Sequence, residues 1–425
     1  MSGQQHSGVR RSARLVLGVA VVAAVAVTAS GAQAATTGWG GEQLVSTTAS
    51  GDGWEPSVAA DPSAPYVYEA WMQYSGTKIS ISYRVSADGG ASWGPAKPIC
   101  PSCSTKQGQY DIVLATTATG TLDAVWMQGN HISFSRTSDH GATWTAPVQV
   151  SGSTWADKPW LAVSGNGNDI YVGWSSRGNV SITASHNAGA AWSTPAQVTN
   201  ENGIYYYPNG GVVLPNGTAM LAMSEYPENG NNTKLTGPVP IVVLRSTTNG
   251  STWSRVLIDT LNTGATYATS SVTTITGDSA GNAVAVYSGS TSVGANGRVF
   301  ARRSTDSGAT WGAAVDLTSS AGGADATSVA AGARGTLIAA TWMDKRGGAW
   351  NVWERQSTDG GATWTADVKV SDATSGASYK TTSGFGMPYG DYDAVAVTSA
   401  GKVVAVMGEG DTTQTHGDIW TNRQT

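Results

Sequence analysis

Cysteine, phenylalanine and charge are all scarce in this chain. Of 425 residues only 2 are Cys and 3 are Phe, and 12% are charged. Two cysteines, Cys100 and Cys103 in PICPSC, leave no material for a disulfide framework; in an oxidising setting they most simply staple one small loop. A metal site would need two more soft ligands, and a thioredoxin-like site a βαβ context, and the sequence offers neither. No metal and no cofactor is expected. The formal net charge is -5, so nucleic acid and anionic membranes are not expected partners. Long apolar runs are absent after Val27, so no later segment is suited to crossing a bilayer as a helix.

The N-terminus has its own signature. Arg10, Arg11 and Arg14 precede an apolar run from Leu15 to Val27, and Ala32-Gln33-Ala34 follows as a small-residue cleavage signal. Residues 1–34 therefore read as a signal peptide, removed near Ala34 on secretion, and residues 35–425 as one domain. Losing those three arginines takes the formal net charge from -5 to -8.

Glycine and tryptophan are plentiful, at 54 and 17 residues, which suits many short strands joined by tight turns. The fold class expected is all-β. One turn recurs at a spacing of roughly 50 residues, which points to blades, solenoids or arrays. It reads SADGGASW ending at Trp93, TSDHGATW at Trp144, STDSGATW at Trp311 and STDGGATW at Trp364, with weaker copies SHNAGAAW at Trp192 and STTNGSTW at Trp253.

Around each turn the chain alternates in short runs. A strand ends in a large side chain (Trp71, Trp126, Trp174, Met223, Tyr287, Trp342), a second leads into the motif, a third follows its Trp, and a small-residue run precedes the first. Four such strands form an antiparallel meander that cannot bury both faces alone. Stacking the meanders around an axis solves burial and protects the edges, which is a β-propeller.

The chain ends set the blade count. From Asp391 onward there are three strands and no turn motif, while Trp39 to Ser46 (WGGEQLVS) resembles the fourth strand of other repeats, WTAPVQVS and WTADVKVS. Seven four-stranded antiparallel blades are expected, the last closed by the N-terminal strand; six blades is the alternative.

Within the repeated turn, Asp88, Asp139, Asn187, Asp306 and Asp359 occupy the position that can accept hydrogen bonds from the turn's own backbone. Gly supplies positive φ, and the Trp covers the hairpin while its indole N–H finds a partner. These are structural roles; Asn187 and Thr248 replacing the acid speak against a row of ligands. The motif is an Asp-box, and six copies in an all-β chain with a signal peptide resemble the sialidase-like, BNR-repeat propellers. That resemblance implies the fold, and a surface that in different members cleaves, lyses or binds glycans.

In a meander the Asp-boxes and first hairpin turns share one end, so the varied segments collect at the other. These segments include Trp54-Glu55, Tyr110-Asp111, Trp155 to Trp160, Arg177, Tyr205 to Tyr207, Glu225-Tyr226, Tyr267, Arg298, Asp344 to Arg346, Tyr389 to Asp393 and His416. Asp157, Glu225, Tyr267 and Asp391 are the catalytic candidates, and Trp160, Arg177, Tyr206, Arg298, Arg346 and Tyr389 the substrate-binding ones. Carboxylates, aromatics and arginines of this kind suit sugar binding or glycosidic cleavage.

For a sialidase, the resemblance implies an arginine triad (Arg177, Arg298, Arg346), a Tyr nucleophile (Tyr267 or Tyr389) assisted by Glu225, and an Asp acid. The family's arginine-Ile-Pro signature is replaced here by GWEPSVAAD in the first blade. The expected function is a secreted, exo-acting glycosidase of sialidase-like type acting on an extracellular glycan or polysaccharide. A non-catalytic lectin and a structural or protein-binding propeller are the alternatives.

Overall fold

A computed structural model describes residues 38–46, 53–103, 106–152, 155–176, 178–199, 203–227, 237–263, 272–346, 348, 350–371, 392–409 and 418–425. They contain only strands and turns, in seven antiparallel sheets of four strands each. The inner strands are Gly53–Ala60, Gln109–Thr116, Asp157–Val163, Ile204–Val213, Thr273–Gly277, Ala326–Arg334 and Ala394–Val397. All seven line one axial cavity. Blade seven closes as expected: Gln43–Leu44 pairs with Asp418–Arg423, placing Gln43 opposite Thr421 and Leu44 opposite Trp420. The Val45 N–H donates to Ile419 O at 2.7 Å, so the chain's two ends share one sheet.

The core lies between the blades. Trp71 of blade one packs in one cluster with Val404, Val406 and Ile419 of blade seven. Trp174 of blade three does the same with Ile132 and Phe134 of blade two. Both indole rings are fully buried, each removing about 200 Å² from water, at most about 5 kcal/mol of transfer free energy.

The Asp-boxes act across these seams. Asp359 accepts from Thr363 N (2.8 Å), Thr363 Oγ1 (2.6 Å) and Ser357 Oγ (2.7 Å), clasping its own turn. Asp88, Asp139 and Asp306 repeat this, and hydrogen bonds led by those from Ser92, Thr143 and Thr310 hold their carboxyls down at about 2. Asn187 accepts the Ala191 N–H at 2.8 Å and Thr248 the Thr252 N–H at 3.0 Å, so the clasp survives without the acid.

The motif Trp reaches beyond its own hairpin: Trp144 meets Tyr83 edge-on at 5.5 Å, Trp192 meets Phe134 at 5.0 Å and Trp253 meets Tyr171 at 5.8 Å, each on the preceding blade. Trp253 Nε1 donates to Gly250 O at 3.1 Å, whereas the indole N–H groups of Trp93, Trp192, Trp311 and Trp364 are buried without an acceptor among the described residues. The expectation that each indole N–H finds a partner is met at Trp253 and is not met by a described residue at those four. At the motif glycine, a Cβ on Gly361 (φ 88°) would stand 2.6 Å from Val284 of the blade before.

The Asp-boxes and first hairpin turns do share one end: Gly89 N bonds Pro65 O and Gly360 N bonds Thr336 O. Second hairpin turns meet the blade crossovers at the other, as in Gly129 N to Gly108 O and Lys345 N to Asp325 O.

Candidate functional site

At the end free of Asp-boxes, four inner strands repeat one distortion. Glu55-Pro56, Asp111-Ile112, Lys158-Pro159 and Ser328-Val329 are two-residue bulges, facing Trp71, Trp126, Trp174 and Trp342 on the next strand. The first residue of each pair is left-handed, with φ of 49°, 50°, 48° and 52°. Such a φ costs a non-Gly residue about 1–3 kcal/mol, and a bulge re-aims a side chain out of the alternating pattern. The fully buried Trp opposite each bulge supplies the packing that holds it.

Three of these strained residues meet. Asp111 N donates to Glu55 Oε2 at 2.8 Å. Lys158 Nζ lies 3.3 Å from Asp111 Oδ1 and 2.5 Å from Tyr392 Oη, and the Tyr392 hydroxyl donates to Asp111 Oδ1 at 3.0 Å. The ammonium also stands 5.2 Å and 5.1 Å from the ring centroids of Tyr207 and Tyr392. The rings of Tyr205, Tyr226 and Tyr392 cluster around that of Tyr207 at 6.4–6.5 Å. Asp111, Lys158 and Tyr392 line the axial cavity of about 190 Å³.

Electrostatics divides the acids into separate roles. Burial works against the Lys158 ammonium, but Asp111, then Tyr392, Tyr207 and Glu55, outweigh it and hold the lysine well above its ordinary range. Burial and then the Asp111 charge raise the Tyr392 phenol well above its own. Asp157 is pushed up to about 6, by burial first and the Asp111 charge second, with Lys158 opposing. Deeper on the axis Asp393 is raised to about 7 by burial; it accepts the Thr341 hydroxyl on Oδ2 at 2.7 Å, and Oδ1 has no partner among the described residues. Among the described residues no three His, Cys, Asp or Glu side chains are grouped to hold a metal ion.

No protein-family model matches this chain, and no curated protein matches it in sequence. Solved structures do match in shape. An ulvan lyase, a polysaccharide lyase bound to -[GlcA(1-4)Rha3S]-, has a TM-score of 0.56 at 11% identity, covering 89% of this chain and 95% of that one. Hadza microbial sialidase Hz136 has a TM-score of 0.51 at 14% identity, covering 83% and 74%. A protein of unknown function from Dyadobacter fermentans gives 0.51 at 12% identity, covering 90% and 97%. The fold is a seven-bladed β-propeller, similar in shape to these structures. At such identities the likeness is one of fold, and this propeller's site has to be read from its own residues.

The propeller distributes the candidates unevenly. Asp157 feels the charges of Asp111 and Lys158 but is not among the residues lining the axial cavity. Glu225 is 2% exposed, and both its carboxylate oxygens are held by Arg255 at 2.8 and 2.5 Å. Trp160 and Tyr206 are enclosed in the core at 1% and 0% exposure, the Trp160 ring lying so close to Gly173 that a Cβ there would come within 2.6 Å. Arg298 pairs with Asp316 at 2.6 Å. Arg346 pairs with Asp344 at 2.7 Å and with Asp367, and stacks 3.9 Å over Trp353. Arg177, Tyr267, Tyr389 and Asp391 lie outside the described residues. Cys100 and Cys103 form the expected disulfide.

Lys158, Asp111 and Tyr392 fall within the varied segments, but the bulges that present Asp111 and Lys158 are invisible to strand periodicity. One signal was available: Glu55, Asp111 and Lys158 each stand 15 or 16 residues before a second-strand Trp.

Proposed function

We propose that this propeller is a secreted glycan-processing enzyme that cleaves a glycosidic bond at its axial mouth. The observation carrying the proposal is the Tyr392–Asp111–Lys158 contact set, which lines the axial cavity and in which Asp111 and Lys158 sit on strained bulges. Tyr392 attacks the anomeric carbon as its proton passes to Asp111 Oδ1, 3.0 Å away, and the Lys158 ammonium stabilises negative charge developing on the phenolic oxygen. Asp157, whose carboxyl sits at about 6, protonates the departing oxygen and then activates water. A Tyr nucleophile assisted by a carboxylate, with a separate Asp acid, is the division of labour the sialidase resemblance implied, here with Tyr392 and Asp111 in the first two roles and the candidate Asp157 in the third. Secretion rests on the leader preceding Ala34.

The tyrosine row also suits a lectin, so the test separates turnover from binding. Purified protein releases sugar from a member of an oligosaccharide panel with retention of anomeric configuration. Its kcat falls as pH rises through about 6, where Asp157 loses its proton. Tyr392→Phe keeps saccharide affinity and loses turnover by about 10² or more. Unchanged sugar release by Tyr392→Phe refutes the mechanism, and binding without release by the wild type makes the propeller a lectin.

A further inference from the structure

The charges around the axial mouth restrict what sugar can enter. Glu55, Asp111 and Asp157 stand against one ammonium, Lys158, and that ammonium already contacts Asp111 and Tyr392. The two described arginines at this end are committed elsewhere. Arg298 gives Nε and Nη2 to Asp316 at 3.2 and 2.6 Å. Arg346 is held between Asp344 and Asp367 with its plane on Trp353. Lys78, Lys106 and Lys345, the other cations at this end, are exposed, where solvent screens them.

A carboxylate-bearing sugar needs a cation free to form two parallel hydrogen bonds, and freeing Arg298 or Arg346 would strand a partner acid. An uncharged sugar needs only hydroxyl partners and ring faces. Asp111, which lines the cavity, can accept from hydroxyls, and the half-buried rings of Tyr205 and Tyr392 beside Tyr207 offer aromatic surface.

We propose that the axial mouth takes an uncharged glycan and discriminates against sugars bearing a carboxylate. This rests on the reading of the mouth as a glycan site, and the experiment keeps the two apart. Calorimetric binding to wild-type protein is measured for neutral hexose and pentose oligosaccharides and for matched oligosaccharides carrying a uronate or sialic acid. The expected result is at least one neutral ligand bound about tenfold or more tighter than its acidic counterpart. The gap should narrow at 1 M salt, where the Debye length falls to about 3 Å. Glu55→Gln should narrow it further at low salt. Equal or tighter binding of the acidic member overturns the charge discrimination while leaving the glycan site standing. No binding in either arm overturns the glycan reading itself, and a gap insensitive to both salt and Glu55→Gln overturns its electrostatic cause.

Discussion

Replacing Asp393 by Asn should change the pH dependence of folding more than any other single substitution on the axis. Asp393 is 5% exposed, takes one hydrogen bond from Thr341, and is raised by burial from 3.8 to about 7. A carboxyl raised on folding binds its proton more tightly in the native state than in the unfolded chain. Its contribution to stability is therefore fully present below about pH 4 and is lost as pH rises through about 7. The span between those two values corresponds to a loss on the order of 4 kcal/mol. Asn has the same shape, keeps an acceptor for the Thr341 hydroxyl and cannot ionise. Urea unfolding of wild type and Asp393→Asn at intervals from pH 4 to 8 isolates the effect, because the contributions of the other raised carboxyls, such as Asp157, cancel in the difference. The variant should gain on the wild type by up to about 4 kcal/mol across that range. A difference that changes by less than about 1 kcal/mol, close to extrapolation error, refutes burial as the cause.

Two further outcomes test the blade seams by the same unfolding measurement. Gly361→Ala puts a Cβ 2.6 Å from Val284 at a φ of 88° and should cost about 2–4 kcal/mol, from left-handed strain plus overpacking; a neutral variant would show that the seam yields. Asp359→Asn should cost under about 1 kcal/mol, since Asn187 already makes the clasp in blade three, whereas Asp359→Ala loses its acceptors and should cost about 1–2 kcal/mol. Equal losses for both substitutions would mean that the charge, rather than the hydrogen bonds, holds the turn.

The architecture was legible because it repeats. Six Asp-boxes set the blade register, and the likeness of WGGEQLVS to WTADVKVS exposed the closing strand, since both depend on local periodicity and turn chemistry. The site was only partly legible for the converse reason. Of the candidates, Asp157 stands within reach of the Asp111 and Lys158 charges, whereas Glu225, Arg298 and Arg346 pair with Arg255, Asp316, Asp344 and Asp367. Ion pairing depends on contacts between side chains of different strands and turns, which strand periodicity does not report. Trp160 looked like a sugar platform for a similar reason: its packing against Gly173 is a property of the folded sheet.

By itself, then, the sequence determined the strand count, the closed ring and the end of the ring that is free of Asp-boxes. The physical cause is that hairpin chemistry and alternating burial act over a few residues. Only the tertiary structure decided which groups meet on the axis. Asp111, Lys158 and Tyr392 come from blades two, three and seven, up to 281 residues apart. They converge because buried tryptophans face bulged inner strands, and ring closure then carries the last blade round to the first.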